Sequence, residues 1–525
     1  MIEIERNPAL PRLAWILRVT RGRRARAVLG PDVSVGSARF WEGLRNANLA
    51  LADTVTNLST GVDWSDGVIS IHTATNTLDR VWVLQDDEIV WASNSLPLML
   101  RNSHRRLKPD YLFYPWEFET IDSHWRAIPF EGKGTLHVLY NAIATFDEHG
   151  ALSVAQYRAP PPFTSFEHYT GFLREEIAAM FAASGAGANR AYTPLLTLSR
   201  GYDSTGIAAL VRGMGVDEAL SIRDGRGAEQ GSEDVSEAAA ILGLRVHAIG
   251  RRDYSASGFS AERLFYASAL AEEICFYPFA ERMRGRLVLL GHHGDTMWDR
   301  DARPTGTWRR DNVGPSMQTM RIRTGWVNFP VPFIGWQRHA DIIAISQSEE
   351  LRPWSVGGDY DRPIARRLGE EAGIPRSLFG IEKSAVTVSA GLNAADDVIS
   401  GHFKTLLEQH WRKVATPGLR LSAALISALS VLNRGAADKY KQSRKAAAPQ
   451  AEKRTRATPA MLLLAALKRS PLRRKYLRPI HPLTFAAQVA TDNLVNDLPD
   501  VMTPANDRAP VVSPAPAPHL VHRQI

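Results

Sequence analysis

One cysteine, Cys275, serves the whole 525-residue chain. A lone thiol excludes an internal disulfide and any cysteine-built zinc or sulfur-transfer site, so a reducing, cytoplasmic setting is expected. Cys275 stands between Ile274 and Phe276 in an apolar stretch expected as helix, and reads as a small buried hydrophobe. Long apolar runs are also missing. Leu13–Leu17 is too short for a secretory core and its basic cluster, Arg21 to Arg26, follows it, while Ala460–Leu467 is too short to cross a bilayer. No transmembrane segment is therefore expected. The lysine-bearing glycine loop of kinases and GTPases is absent, and no internal repeat is apparent.

The formal charge of +8 is unevenly spread. Residues 435 to 480 hold 13 Lys and Arg against two acids, a net of +11, so the remainder sums to −3. That segment and its approach interleave basic clusters with short apolar helices, Leu421–Leu432 and Met461–Leu467. It is a candidate surface for an anionic partner such as lipid, RNA or a polyanion, or a solvated helical face. Aromatic residues of the kind that stack bases are nearly absent from it.

With 44% hydrophobic residues, the chain can bury the cores of two or three domains. Residues 1–165 alternate short apolar runs with turns and are expected as a β-rich domain. Residues 166–400 alternate strands and helices, which implies an α/β domain with a doubly wound parallel sheet. Strands are expected at Glu218–Ile222, Arg245–Ile249 and Arg286–Leu290. Ser232–Gly243 is expected as a helix capped by Ser232, with Glu233 and Asp234 in its first turn and an apolar face of Val235, Ala238, Ala239 and Leu242. Ala261 to Met283 is expected as one long helix. Residues 401–480 form a helical basic extension, and 481–525 a largely disordered Pro/Ala-rich tail.

The chemistry is concentrated in Leu196-Thr-Leu-Ser-Arg-Gly-Tyr-Asp-Ser-Thr-Gly-Ile207. An apolar strand runs through a small polar loop into a helix, so Ser199, Gly201, Ser204 and Thr205 can turn N–H groups and hydroxyls toward one anion at a helix start. A chance strand-turn-helix with Asp203-Ser204 as a cap is the other reading. A second polar loop, Gly291-His-His-Gly-Asp-Thr296, ends the strand at Arg286–Leu290, where open α/β sheets place ligands. A third stretch runs from Tyr360 through Ile374-Pro375 to Lys383.

These three segments resemble the asparagine synthetase family of ATP pyrophosphatases. Ser199, Gly201, Asp203 and Ser204 match its Ser-Gly-Gly-x-Asp-Ser loop, with Arg200 replacing the first of the two glycines. Gly291 and Asp295 match Gly-Glu-Gly-x-Asp-Glu, with His292, His293 and Thr296 departing. The resemblance implies that Ser199, Gly201, Ser204, Thr205, Gly291 and Gly294 hold the phosphates of ATP, and that adenine lies against the backbone near Leu198 and Ile222. It also makes Asp203 and Asp295 ligands of Mg²⁺ and places Lys383 at the triphosphate. His292 stands where the family has Glu near the acyl-adenylate; it either takes a proton from an incoming amine or, with His293, only caps the strand end.

The expected activity is AMP-forming amide ligation: a carboxylate is adenylated and passed to an amine or ammonia, with small-molecule, peptide or glycan substrates. The chain starts Met1-Ile2-Glu3, so hydrolysis of glutamine by an N-terminal cysteine, as in the family, is not expected. Two other readings stay open: a tRNA-modifying relative of the same loop family, and a catalytically decayed nucleotide-binding scaffold.

Overall fold

The computed structural model describes residues 2–20, 25–46, 49–121, 123–147, 151–224, 234–256, 261–264, 272–302, 314–358, 360–380, 399–421 and 485–502. Its first part is a sandwich of two sheets. Seven strands form one, in the order Ile2–Arg6, Ala25–Leu29, Trp15–Thr20, Ile89–Ser93, Val81–Gln85, Thr135–Leu139 and Trp125–Ile128. The other has six, ordered Leu152–Ala155, Ile143–Phe146, Val68–His72, Leu58–Ser65, Arg39–Leu44 and Ser34–Gly36. All neighbours are antiparallel except the first pair of the larger sheet. Period-two alternation explains the layering. Val81 and Val83 face the inter-sheet core with Trp15, Phe40 and Val62, whereas Trp82 and Leu84 face outward into a second core.

That second core is shared with a five-stranded parallel sheet. Its strands are β1 (Thr193–Thr197), β2 (Glu218–Ile222), β3 (Arg245–Ile249), β4 (Arg286–Leu290) and β5 (Val327–Pro330), in the spatial order β3-β2-β1-β4-β5. The strands expected from sequence at β2, β3 and β4 have those bounds. Leu195, Leu220, Ile222, Val288 and Leu290 meet the outward face of the sandwich. Leu196, Ala219, Leu287, Leu289 and Phe329 pack on the opposite side with α1 (Phe166–Ala183). Both faces are covered over β4 and the middle of β1, where apolar residues run consecutively, whereas the edge strand β3 has no fully buried residue.

Some local expectations change. The helix after β2, here α3 (Ser236–Leu242), starts later than expected: the Asp234 carboxylate accepts from the Ser236 N–H at 2.9 Å and from its hydroxyl at 2.7 Å. Asp234 thus serves the helix start, while Ser232 and Glu233 lie outside the described residues. Its apolar face is buried as expected, and Gly243 ends it at φ +73°. Where one helix was expected over Ala261–Met283, the described residues form 3₁₀ turns at Ala261–Leu264 and Glu272–Phe279 and only a short α-helix at Ala280–Met283. Pro278 explains this in part, since it lacks an N–H and its ring opposes the preceding turn. Cys275 is buried there.

Within the stretch expected as a Pro/Ala tail, Ala486–Asp497 is a helix whose Ala487, Ala490 and Leu494 are buried in the shared core, beside Leu98 and Met99 of the helix Leu96–Ser103. Asn102 fastens the chain beyond it, accepting from Val501 N–H at 2.8 Å and Met502 N–H at 2.9 Å. The basic segment 435–480 lies outside the described residues. Among those described, no helix is long and apolar enough to cross a membrane.

One ionic cluster crosses from the sandwich to the second half. Arg321 on Gly314–Thr324 bonds Asp79 and both oxygens of Glu42, and all three side chains are almost fully buried. One guanidinium faces two carboxylates, and burial followed by the charge of Glu42 pushes the Asp79 carboxyl above its ordinary range, against the pull of Arg321.

Candidate functional site

Strand β1 delivers its loop to the carboxyl end of the sheet, one residue after Leu198 donates its N–H to Leu220 O at 2.8 Å. Helix α2 (Tyr202–Leu210) then starts at Gly201, which offers no side chain to cap the first turn. The hydroxyls fix the loop's curvature. Ser199 N–H donates to Ser204 Oγ at 3.0 Å, the two serine oxygens lie 2.9 Å apart, and Gly201 N–H donates to Ser199 Oγ at 3.2 Å. Thr205 Oγ1 lies 3.0 Å from Ser199 O and 2.9 Å from Gly201 O, so this hydroxyl is turned back into the loop it braces.

The second loop closes on the first through missing side chains. A Cβ on Gly294 would lie 2.2 Å from Asp203 Cγ, and one on Gly291 would lie 3.1 Å from Ser204 N. No Cβ fits at Gly294 without displacing the carboxylate. Asp295 follows directly, exposed in the first turn of Gly294–Met297. His293 takes the left-handed conformation at φ +67°, unusual for a residue with a side chain, and its Nε2 lies 2.6 Å from Thr77 Oγ1 of the sandwich. The rings of His292 and His293 are 4.1 Å apart, and Phe333 lies 5.1 Å from His293.

The third segment joins the same cluster. Gly206 of α2 meets Ala365 of the helix Pro363–Glu371 so closely that a Cβ would fall 2.9 Å from Ala365 Cα. Past that helix, Gly380 N–H donates to Arg200 O at 2.9 Å, and Arg200 Nε reaches Leu378 O at 3.5 Å. Arg200, where the resembled family has glycine, thus links the first loop to the 376–380 turn. Lys383 lies outside the described residues, three positions beyond Gly380.

The structure therefore gathers Ser199, Gly201, Asp203, Ser204 and Thr205 with Gly291, Gly294 and the chain leading to Lys383. Leu198 and Ile222 end adjacent strands but bury their side chains on opposite faces of the sheet, leaving only backbone edges in common. Sequence reasoning gave no role to Tyr360 and Arg362. Arg362, 3% exposed in its side chain, places Nε 3.8 Å from Asp203 Oδ1 while its Nη1 bonds Asp299. Tyr360 accepts the Tyr202 N–H at 3.3 Å, and burial first, then the Asp203 charge, pushes its phenol pKa up. Both belong to the quoted third segment, and two groups able to face an acid, Tyr and Arg two residues apart, were the available signal.

Among the described residues no group of three or more His, Cys, Asp or Glu gathers as a metal cluster. A two-carboxylate set, Asp203 with Asp295, suits Mg²⁺, which takes few protein ligands and keeps water and phosphate oxygens. The lack of a side chain at Gly294 lets the Asp203 carboxylate lie directly against the loop that carries Asp295. No protein-family model matches this chain, and no curated protein matches it either.

Proposed function

We propose that the chain is an ATP-dependent, AMP-forming amide ligase similar in plan to the asparagine synthetases. The observation that carries this reading is the convergence of three sequence segments on one point: the Ser199–Thr205 loop at a helix start, Gly294 packed on Asp203, and Gly380 bonded to Arg200. In this reading the fold is the doubly wound ATP pyrophosphatase type. A carboxylate oxygen of one substrate attacks the α-phosphorus of ATP, the bond to the β-phosphate breaks, and acyl-AMP and pyrophosphate form. An amine then attacks the acyl carbon and loses a proton, AMP leaves, and the amide remains.

The residues divide the work by position. The start of α2 receives phosphate charge, on a loop whose curvature the Ser199 and Gly201 N–H groups hold. Asp203 and Asp295 hold Mg²⁺, which neutralises phosphate oxygens when bound. Arg362 keeps Asp203 in place, and Lys383 faces the leaving pyrophosphate. His292 is the candidate acceptor of the amine proton. The nitrogen comes from ammonia or an amine-bearing substrate.

The test follows AMP, ADP and pyrophosphate separately when the purified full chain is given ATP and Mg²⁺ with panels of carboxylates and amines. AMP plus pyrophosphate is expected, reduced about 100-fold or more in Asp203→Ala and Lys383→Ala, as for loss of a group at developing charge. Failure of the wild-type chain to bind ATP in the presence of Mg²⁺ overturns the reading and leaves a scaffold.

A further inference from the structure

Where the sandwich turns away from the parallel sheet, its two sheets part around a cavity of about 490 Å³. The strand Leu58–Ser65 fixes its location: Leu58 packs in the core of the parallel-sheet half, while Trp64 and Ser65 line the cavity. At roughly 3.3 Å per residue the two ends of that strand lie roughly 20 Å apart. The strand Val81–Gln85 repeats the pattern, following Asp79, which bonds Arg321, and ending at Gln85 in the cavity wall. The cavity is thus separate from the loop at Ser199–Thr205.

Its chemistry is two-sided. Ile2, Ile71 and Phe146 belong to the buried inter-sheet core, and Trp64, Ile69 and Val90 continue that apolar lining while only partly buried. The space is therefore an unfilled end of the core, of a size that holds a small ligand. At its mouth stand two hairpin turns with the exposed acids Asp66, Asp87 and Glu88. Two further acids in the wall are tied to backbone: Asp86 accepts from Ile89 N–H at 2.8 Å and lies 3.8 Å from Arg105, and Asp147 accepts from Ala151 N–H at 2.7 Å. No lysine or arginine is among the described lining residues. Residues 21–24, with Arg21, Arg23 and Arg24, join Thr20 to Ala25 and lie outside the described residues.

We propose that this cavity binds an organic ammonium compound, its apolar body between the sheets and its cation at the mouth among Asp66, Asp87 and Glu88. An indole in the wall and carboxylates at the rim are the two groups that recognise an alkylammonium, and an apolar core end supplies the contact area for its chain. Neither group favours a carboxylate ligand.

Calorimetric titration of the full chain with octylammonium, octanoate and octanol separates the possibilities. Octylammonium is expected to bind with a dissociation constant about tenfold or more below the other two. The double variant Asp87→Lys, Glu88→Lys changes only exposed turn residues, so it keeps the wild-type melting temperature. It is expected to weaken octylammonium about tenfold and to leave octanol unaffected. Trp64→Ala is expected to weaken the cation more than the alcohol. Equal affinity for the three head groups, preference for octanoate, or no binding overturns the proposal.

Discussion

The loop at residues 72–80 and the loop at 199–205 are both rich in hydroxyls and acids and both largely withdrawn from water, yet they use their polar groups differently. In the sandwich loop, bonds run to distant chain. Thr75 Oγ1 accepts from Asn57 N–H at 2.9 Å, Thr73 Oγ1 accepts from Ala142 N–H at 3.1 Å, and Asp79 bonds Arg321. In the second loop the hydroxyl bonds close within seven residues, and the helix behind them starts without a side-chain cap. Buried polar density is common to both; only the second loop opens directly into a helix, whose Tyr202 N–H is met by Tyr360 from far along the chain. His72 sharpens the point. Its Nε2 lies 3.3 Å from Ser59 Oγ and its Nδ1 4.0 Å from Asp63, the residue types of a hydrolytic triad. But Ser59 donates to Asn57 Oδ1 at 2.7 Å, both side chains are sealed from solvent, and burial with the Arg45 charge holds the imidazole well below its ordinary basicity.

Breaking the long-range bonding has the largest expected effect. Arg321→Met leaves Glu42 and Asp79 buried with no cation, which should cost about 3–5 kcal/mol of unfolding free energy by urea denaturation at pH 7. Loss of less than about 1 kcal/mol would mean that water or another charge already serves these carboxylates.

Acid comes next. Burial, with Arg45 second, pushes the His72 pKa down to about 3, so the folded state holds the ring neutral while the unfolded chain protonates it near 6.5. Stability from this group is complete above pH 6.5 and is lost as pH falls toward 3. At pH 5 the loss should be about 2 kcal/mol, at 1.36 kcal/mol per unit of pH. His72→Gln should flatten that slope relative to wild type in paired denaturation curves at pH 7 and pH 5; equal slopes sink the assignment.

How much of this was legible follows from distance along the chain. Strands β2 to β4 are five-residue stretches rich in apolar residues, each opened by a charged residue and followed by a polar or glycine residue, and the Ser199–Thr205 loop is a local pattern, so both could be read directly. The C-terminal helix could not, because Ala487, Ala490 and Leu494 look like tail until a helix far earlier in sequence covers them. The Arg321 cluster spans separations of 242 and 279 residues, and no local pattern announces it. The 3₁₀ turns around Pro278 escaped for another reason: apolar residues at helical spacing outweighed the one residue that prevents a regular helix. For the candidate site, the loops were readable but their spacing was not, since the closeness of Gly294 to Asp203 depends on β1 and β4 being neighbours.

The smallest effect tests whether the sandwich loop sets the shape of the site. His293 holds φ +67°, a conformation that costs roughly 1–2 kcal/mol for a residue with a side chain. Its bond to Thr77 and its tilted ring contact with Phe333 offset that cost. Thr77→Val removes the hydroxyl at nearly constant volume and should cost about 1 kcal/mol. In a His293→Gly background the same substitution should cost less, because glycine adopts the conformation unaided and offers no ring to bond. A double-mutant cycle on unfolding free energy reads this coupling, and a paired measurement of ATP affinity reads its reach. Coupling with altered affinity would make Thr77 a positioning residue for the Gly291–Asp295 loop. Strict additivity would mean that the loop holds its shape alone and that the sandwich merely rests against it.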